Sequence, residues 1–195
     1  IRVLSGRGGM VSVALPVDAV RERITAFEGR VSVAAVNGPS SVVVSGEPGP
    51  LEELVASCEA EGVRARVIPV DYASHSAQVE ELETELLDVL APISPRSSEV
   101  RFFSTVTGDW LTDTSVMDAA YWYRNLRQTV EFADAAAALV EQGHGLFIEA
   151  SPHPVLTVPV ESSIEASGQA GVSVIGSLRR DDGGWERFLV SAGQA

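Results

Sequence analysis

Three histidines, one cysteine and a scatter of serines are the side chains here that could make or break a covalent bond, and one histidine stands apart by its setting. His75 closes the run Tyr72-Ala73-Ser74-His75, where the β-like stretch Val67-Ile68-Pro69-Val70 gives way to a helix-like stretch beginning near Ser76. An imidazole beside the positive end of a helix resists protonation, which keeps a neutral general base available near neutral pH. A purely structural histidine at a strand-to-helix corner is the competing reading, and position alone leaves both open. No serine or cysteine sits on a G-x-S-x-G elbow, so a nucleophile for this base must be supplied elsewhere. A hydrolase pairing Ser74 or Ser76 with His75 is a further reading, disfavoured because adjacent residues diverge in direction.

The other reactive groups read more plainly. His144, in Gln142-Gly143-His144-Gly145, is expected to be an exposed loop histidine, and His153, between Pro152 and Pro154, a structural corner able to line a cleft. The three histidines share no i,i+4 or H-x-H spacing, so no metal site is expected. Cys58 falls on the apolar stripe Leu51, Leu54, Val55, Cys58 and reads as a small buried hydrophobe rather than a reactive thiol. Ser5-Gly6-Arg7-Gly8-Gly9 and Ser45-Gly46-Glu47-Pro48-Gly49 are glycine-rich but lack the Lys of a phosphate loop and the context of a dinucleotide fingerprint; they read as turns. Asn125 follows Tyr121-Trp122-Tyr123 near a helix end, where its carbonyl could accept a proton from an imidazole.

The scaffold for these groups is read from periodicity. Met10–Leu15, Val31–Val36, Ser41–Ser45 and Ala65–Val70 are β-branched runs and predict strands; Val17–Phe27 and Leu51–Glu61 carry apolar residues at helical spacing. Asn37-Gly38-Pro39-Ser40 reads as a hairpin turn and Gly62 as a helix stop. The resulting order over residues 10–70, βαββαβ, is that of the ferredoxin-like split unit. Beyond Asp71 the spacing predicts a helix with Val79, Leu82, Leu86 and Val89 inward, ending near Pro92. A strand over Val100–Ser104, helices over Val116–Asn125 and Val130–Gln142, and strands over Leu146–Ala150 and Gly171–Ile175 complete an α/β layered part over residues 71–195. Residues 1–9 read as a helix tail ended by Gly6, then a loop. The start at Ile1, without Met, fits a chain cut within a longer one.

Composition narrows the function classes. The 195 residues are 45% hydrophobic, enough for a core, and carry a net charge of −13 with arginine as the sole cation besides histidine. That balance argues against nucleic acid and anionic membranes as partners, since both reward clustered positive charge. A lone cysteine and the lack of a signal-like or membrane-length apolar run predict a cytoplasmic protein.

Five motifs, in order along essentially the whole chain, resemble the acyltransferase domain of a modular type I polyketide synthase. They are Val36-Asn37-Gly38-Pro39, Val70-Asp71-Tyr72-Ala73-Ser74-His75-Ser76, Phe103-Ser104-Thr105-Val106-Thr107-Gly108, Tyr121-Trp122-Tyr123-Arg124-Asn125-Leu126-Arg127, and Phe147-Ile148-Glu149-Ala150-Ser151-Pro152-His153-Pro154-Val155-Leu156. Such domains are similar to malonyl-CoA:acyl-carrier-protein transacylases, which implies an α/β-hydrolase-like body bearing a ferredoxin-like subdomain. Residues 10–70 would be that subdomain and 71–195 the C-terminal part of the body.

The resemblance implies ping-pong acyl transfer without a bound cofactor. A serine in a G-H-S-x-G elbow is acylated from an acyl-CoA and then attacked by the phosphopantetheine thiol of an acyl carrier protein, with His75 as base and then acid. Asn125 falls where the family orients that histidine through a backbone carbonyl, and backbone amides would stabilise the oxyanion. The family's serine elbow, its Gln-bearing segment and the Arg that clamps the extender carboxylate match nothing in this chain, so the chain alone is expected to be inactive. Tyr72 and Ser74 stand at extender-selecting positions. The Tyr-Ala-Ser-His form resembles methylmalonyl-selecting domains, whereas malonyl-selecting ones usually carry His-Ala-Phe-His, and Ser74 in place of Phe leaves room for an α-methyl branch. Partners implied are acyl-CoA, an acyl carrier protein and neighbouring synthase domains. The alternative is a non-catalytic ferredoxin-like binding or docking module.

Overall fold

Valine-rich runs build the sheet on which the rest is hung. The computed structural model describes residues 2–195; Ile1, where the predicted helix tail begins, lies outside them, and Arg2–Leu4 form a single 3-10 turn ahead of Gly6. Strands β1 (Gly9–Val13), β2 (Val31–Gly38), β3 (Ser41–Gly46) and β4 (Ala65–Ile68) pair antiparallel in the order β4-β1-β3-β2. Helices α1 (Val17–Ile24) and α2 (Pro48–Ala60) join β1 to β2 and β3 to β4. Alternate valines place Val11, Val13, Val42 and Val44 on one face, against Val20 of α1 and Leu51, Leu54 and Cys58 of α2, each at most 4% exposed. Full burial of such side chains stabilises by about 1.5–3 kcal/mol apiece. Helix α2 stops as expected: Gly62 takes φ +72°, and the Val63 N–H reaches back 2.8 Å to the Cys58 carbonyl.

The region past Asp71 departs from its periodicity in instructive ways. The predicted single helix is a 3-10 segment, Ala77–Leu82, running into α3 (Glu83–Leu90); Val79 and Leu82 are buried, but Val89 is 68% exposed and is not inward. The change of helical pitch at Leu82 rotates the last turn away from the stripe that the sequence spacing draws. Phe102–Ser104 (β5) pairs with an unanticipated partner, Asp109–Leu111 (β6). The predicted helix over Val116–Asn125 is delayed, because Asp118 caps the Tyr121 N–H at 2.9 Å and starts α4 (Ala119–Arg127) afresh.

Val130 does not begin a helix. Val130–Glu131 form β7, which pairs parallel to β2 and gives the sheet a fifth strand from beyond residue 71, before α5 (Phe132–Glu141). Strands β8 (Leu146–Glu149) and β9 (Ser173–Gly176) run parallel on either side of α6 (Thr157–Ser167) in sequence, with Val140, Val160 and Ile164 buried between helices and strands. The Glu149 carboxylate accepts the N–H groups of Val155, Leu156 and Thr157 at 2.8–3.0 Å, holding the Ser151–Pro154 corner against the start of α6. Helix α7 (Trp185–Ala192) closes the chain; neither α6 nor α7 is anticipated from the sequence. Among the described residues, no helix is long and apolar enough to cross a membrane.

Candidate active site

His75 adopts φ +57°, a left-handed conformation that costs energy in any residue with a Cβ and that histidine tolerates better than most. Two contacts with the end of α4 hold it there. Its backbone N–H donates to the Leu126 carbonyl at 2.9 Å, and its ring Nδ1 lies 2.7 Å from the Gln128 carbonyl. A carbonyl can only accept, so Nδ1 carries the proton and Nε2 keeps its lone pair in the neutral ring. Burial pushes the imidazole pKa below its ordinary value of 6.5, with the Gln128 carbonyl pulling weakly the other way. The imidazole is therefore kept neutral chiefly by desolvation. The element after it is a 3-10 segment capped by Ser76, not the α-helix end inferred from the sequence.

The orienting carbonyl belongs to Gln128, which corrects the assignment to Asn125. Asn125 lies inside α4, where carbonyls point along the helix axis; Gln128 is the first residue beyond the helix, at ψ 160°, and turns its carbonyl sideways onto the ring. Asn125 sits one turn too early to make the contact.

The corner is clamped from the other side by Ser5–Gly9. The Gly6 N–H donates to the Asp71 carbonyl at 2.7 Å and the Ser5 hydroxyl to the Asp71 carboxylate; the Gln78 amide donates to the Arg7 carbonyl at 3.2 Å; and Arg7 forks onto Glu81 at 2.7 and 2.8 Å. Gly8 passes so close that a Cβ there would stand 2.7 Å from the Ala73 nitrogen and Cβ. The segment read as an ordinary turn is thus a fitted wall of the site.

Ser74 is buried, its hydroxyl 3.5 Å from the Met10 sulfur, and Tyr72 is half-buried on the same corner. Ser76 donates to the Ala73 carbonyl at 2.8 Å and accepts from the Gln78 N–H. Both hydroxyls are thus engaged away from the imidazole, which leaves the Ser–His hydrolase reading without a nucleophile. His144 is exposed, His153 is half-buried in the corner that Glu149 holds, and Cys58 is buried with its thiol pushed up by burial. No group of three His, Cys, Asp or Glu suited to a metal ion occurs among the described residues.

A family model described as acyl transferase domain matches residues 1–195. Over 193 residues the chain is 60% identical to polyketide synthase GfsE of Streptomyces halstedii, covering 99% of this chain and 5% of that protein. The crystal structure of the acyltransferase domain from module 8 of the salinomycin polyketide synthase superposes with a TM-score of 0.94 at 57% identity, over 97% of this chain and 44% of that one. A malonyl-transacylase solved with its holo type II acyl-carrier protein superposes with a TM-score of 0.81 at 21% identity, over 98% of this chain and 60% of that one, a likeness of fold. The chain thus spans a small fraction of the curated relative and less than half of the solved synthase domain.

Proposed function

Because the chain belongs to the acyl transferase domain family, we propose that it is the part of a polyketide synthase acyltransferase domain that carries the general base for loading an extender unit onto an acyl carrier protein. The observation that carries this reading is the imidazole of His75, fixed through Nδ1 at 2.7 Å on the Gln128 carbonyl with Nε2 left bare. In the first half-reaction, Nε2 takes the proton of a serine that residues 1–195 do not supply, as the serine oxygen bonds to the thioester carbonyl carbon. The C–S bond then breaks and the CoA thiolate leaves with that proton. In the second, the phosphopantetheine thiol gives its proton to Nε2, its sulfur bonds to the acyl carbon, and the serine oxygen leaves and recovers the proton. The acyl group arrives on CoA and departs on the carrier, so no resident cofactor enters the scheme. Without the serine, these residues alone would not load.

Methylmalonyl-CoA is the proposed extender donor. Ser74 is small, buried beside the base and already in contact with Met10, so a Phe at this position would have to displace Met10 or project toward the substrate. One methyl group is worth only about 1–3 kcal/mol in a pocket, a bias between extenders rather than an absolute gate. The split βαββαβ order and its strand sequence β4-β1-β3-β2 support reading residues 10–70 as the ferredoxin-like subdomain.

The test is acyl loading by the intact domain containing this chain, followed by intact mass with malonyl-CoA and methylmalonyl-CoA in competition. Methylmalonyl loading should dominate, vanish in His75→Ala and shift toward malonyl in Ser74→Phe. Folded protein that loads neither would favour a docking module instead.

A further inference from the structure

A carbonyl can orient His75 only if the backbone bearing it is itself held, and the segment Arg127–Glu131 is held on both sides. The Thr129 hydroxyl donates to the Val33 carbonyl of β2 at 2.8 Å, and the Glu131 N–H donates to the Thr105 carbonyl at 3.1 Å. The parallel ladder between β2 and β7 begins at Ala35 opposite Val130, so the Thr129 side chain supplies the rung that the backbone does not. Val33 sits at a register shift of β2 against β3, between Val33 and Ala35, a bulge of the kind that re-aims backbone groups near sites. The Arg127–Glu80 pair at 2.7 Å flanks the same segment, but both side chains are partly exposed and such pairs contribute little.

We propose that Thr129 is a positioning residue for His75: its hydroxyl on the Val33 carbonyl fixes the Gln128 carbonyl against Nδ1 and so selects the tautomer with Nε2 bare. This rests on the reading of His75 as the base. It also makes the five-stranded sheet, through one side chain, a support for the imidazole.

The experiment is a set of Thr129 variants in the intact acyltransferase domain, read by ring 15N chemical shifts of His75 and by loading from methylmalonyl-CoA. Thr129→Val keeps the shape and strand preference but removes the donor. It should populate both neutral tautomers and lower kcat by roughly 10- to 100-fold, by analogy with the loss of outer-shell partners that orient metal-ligating histidines. KM should stay within about twofold, because ground-state binding is untouched. Thr129→Ser should restore the wild-type shifts and rate. Folded Thr129→Val with unchanged ring shifts and kcat overturns the proposal; if that variant does not fold, unchanged shifts in Thr129→Cys, a far weaker donor, overturn it equally. Loading that survives His75→Ala would overturn the base reading instead, while the ring shifts still judge Thr129.

Discussion

At the scale of single residues, the site turns on how His75 is kept neutral. Its folded pKa lies below 6.5 because burial disfavours the imidazolium, so the unfolded chain binds the extra proton first as pH falls. Stability from this group is fully present above pH 6.5 and is lost as pH falls from there through the folded pKa. Urea unfolding across that range should show the loss, and His75→Gln should flatten it; an unchanged slope would mean that other groups carry it. On the proposed role of His75, the same depression should put the acid limb of loading by the intact domain below pH 6.5. Gly8 is the other residue on which the corner depends. A Cβ 2.7 Å from backbone and side chain of Ala73 forces one strand of the clamp to move, so Gly8→Ala should destabilise by about 1–3 kcal/mol and depress loading together. The corner that holds His75 was legible in the sequence because a strand visibly ends before it. Gln128 was not, because which carbonyl leaves a helix sideways depends on where the helix stops, and the spacing of Tyr121-Trp122-Tyr123 does not fix that to one residue. The β-branched pair Thr129-Val130 is the signal that could have found it, since it marks extended backbone starting just after Gln128.

At the scale of elements, regular burial was readable and local capping was not. The four strands and two helices of residues 10–70 lie within a few residues of where periodicity puts them, although β3 buries five residues in succession and β4 buries none fully. Past residue 71, Asp113, Asp118 and Glu149 fix helix starts through backbone N–H groups, and the pitch change at Leu82 turns Val89 out of its stripe. Glu149 is the strongest such case. Its carboxylate serves three consecutive N–H groups ahead of and within α6, so Glu149→Ala leaves all three unmatched. The expected cost is about 1–3 kcal/mol, larger than for Asp118→Ala at the start of α4, where one N–H is served and about 1 kcal/mol is expected. Thermal unfolding of the two variants side by side checks the order; equal shifts would show that solvent replaces the Glu149 contacts.

At the scale of the whole molecule, the five-stranded sheet and the β8-β9 pair stand in different situations. The five-stranded sheet has α1 and α2 on one face, while α5 and α6 lie against β2. The pair β8-β9 is parallel, only two strands wide, and covered on one face; the other shows Leu146 and Ile148 at 40% and 55% exposure, and α7 shows Trp185 at 80%. Parallel strands are stable when buried on both faces, and a two-stranded sheet gains too little to hold itself. Residues 144–192 should therefore be the less stable part when this chain stands alone, and native-state hydrogen exchange can measure the difference. Amides of β1 and β3 should exchange at least about tenfold more slowly than those of β8 and β9, a gap of roughly 1.4 kcal/mol or more in opening free energy. Within the intact acyltransferase domain, where the solved relative is more than twice as long as this chain, the gap should close. Equal protection in the isolated chain would mean that the β8-β9 face needs no cover, and the inactivity proposed for these residues alone would then rest on the chemical groups they do not supply and not on instability.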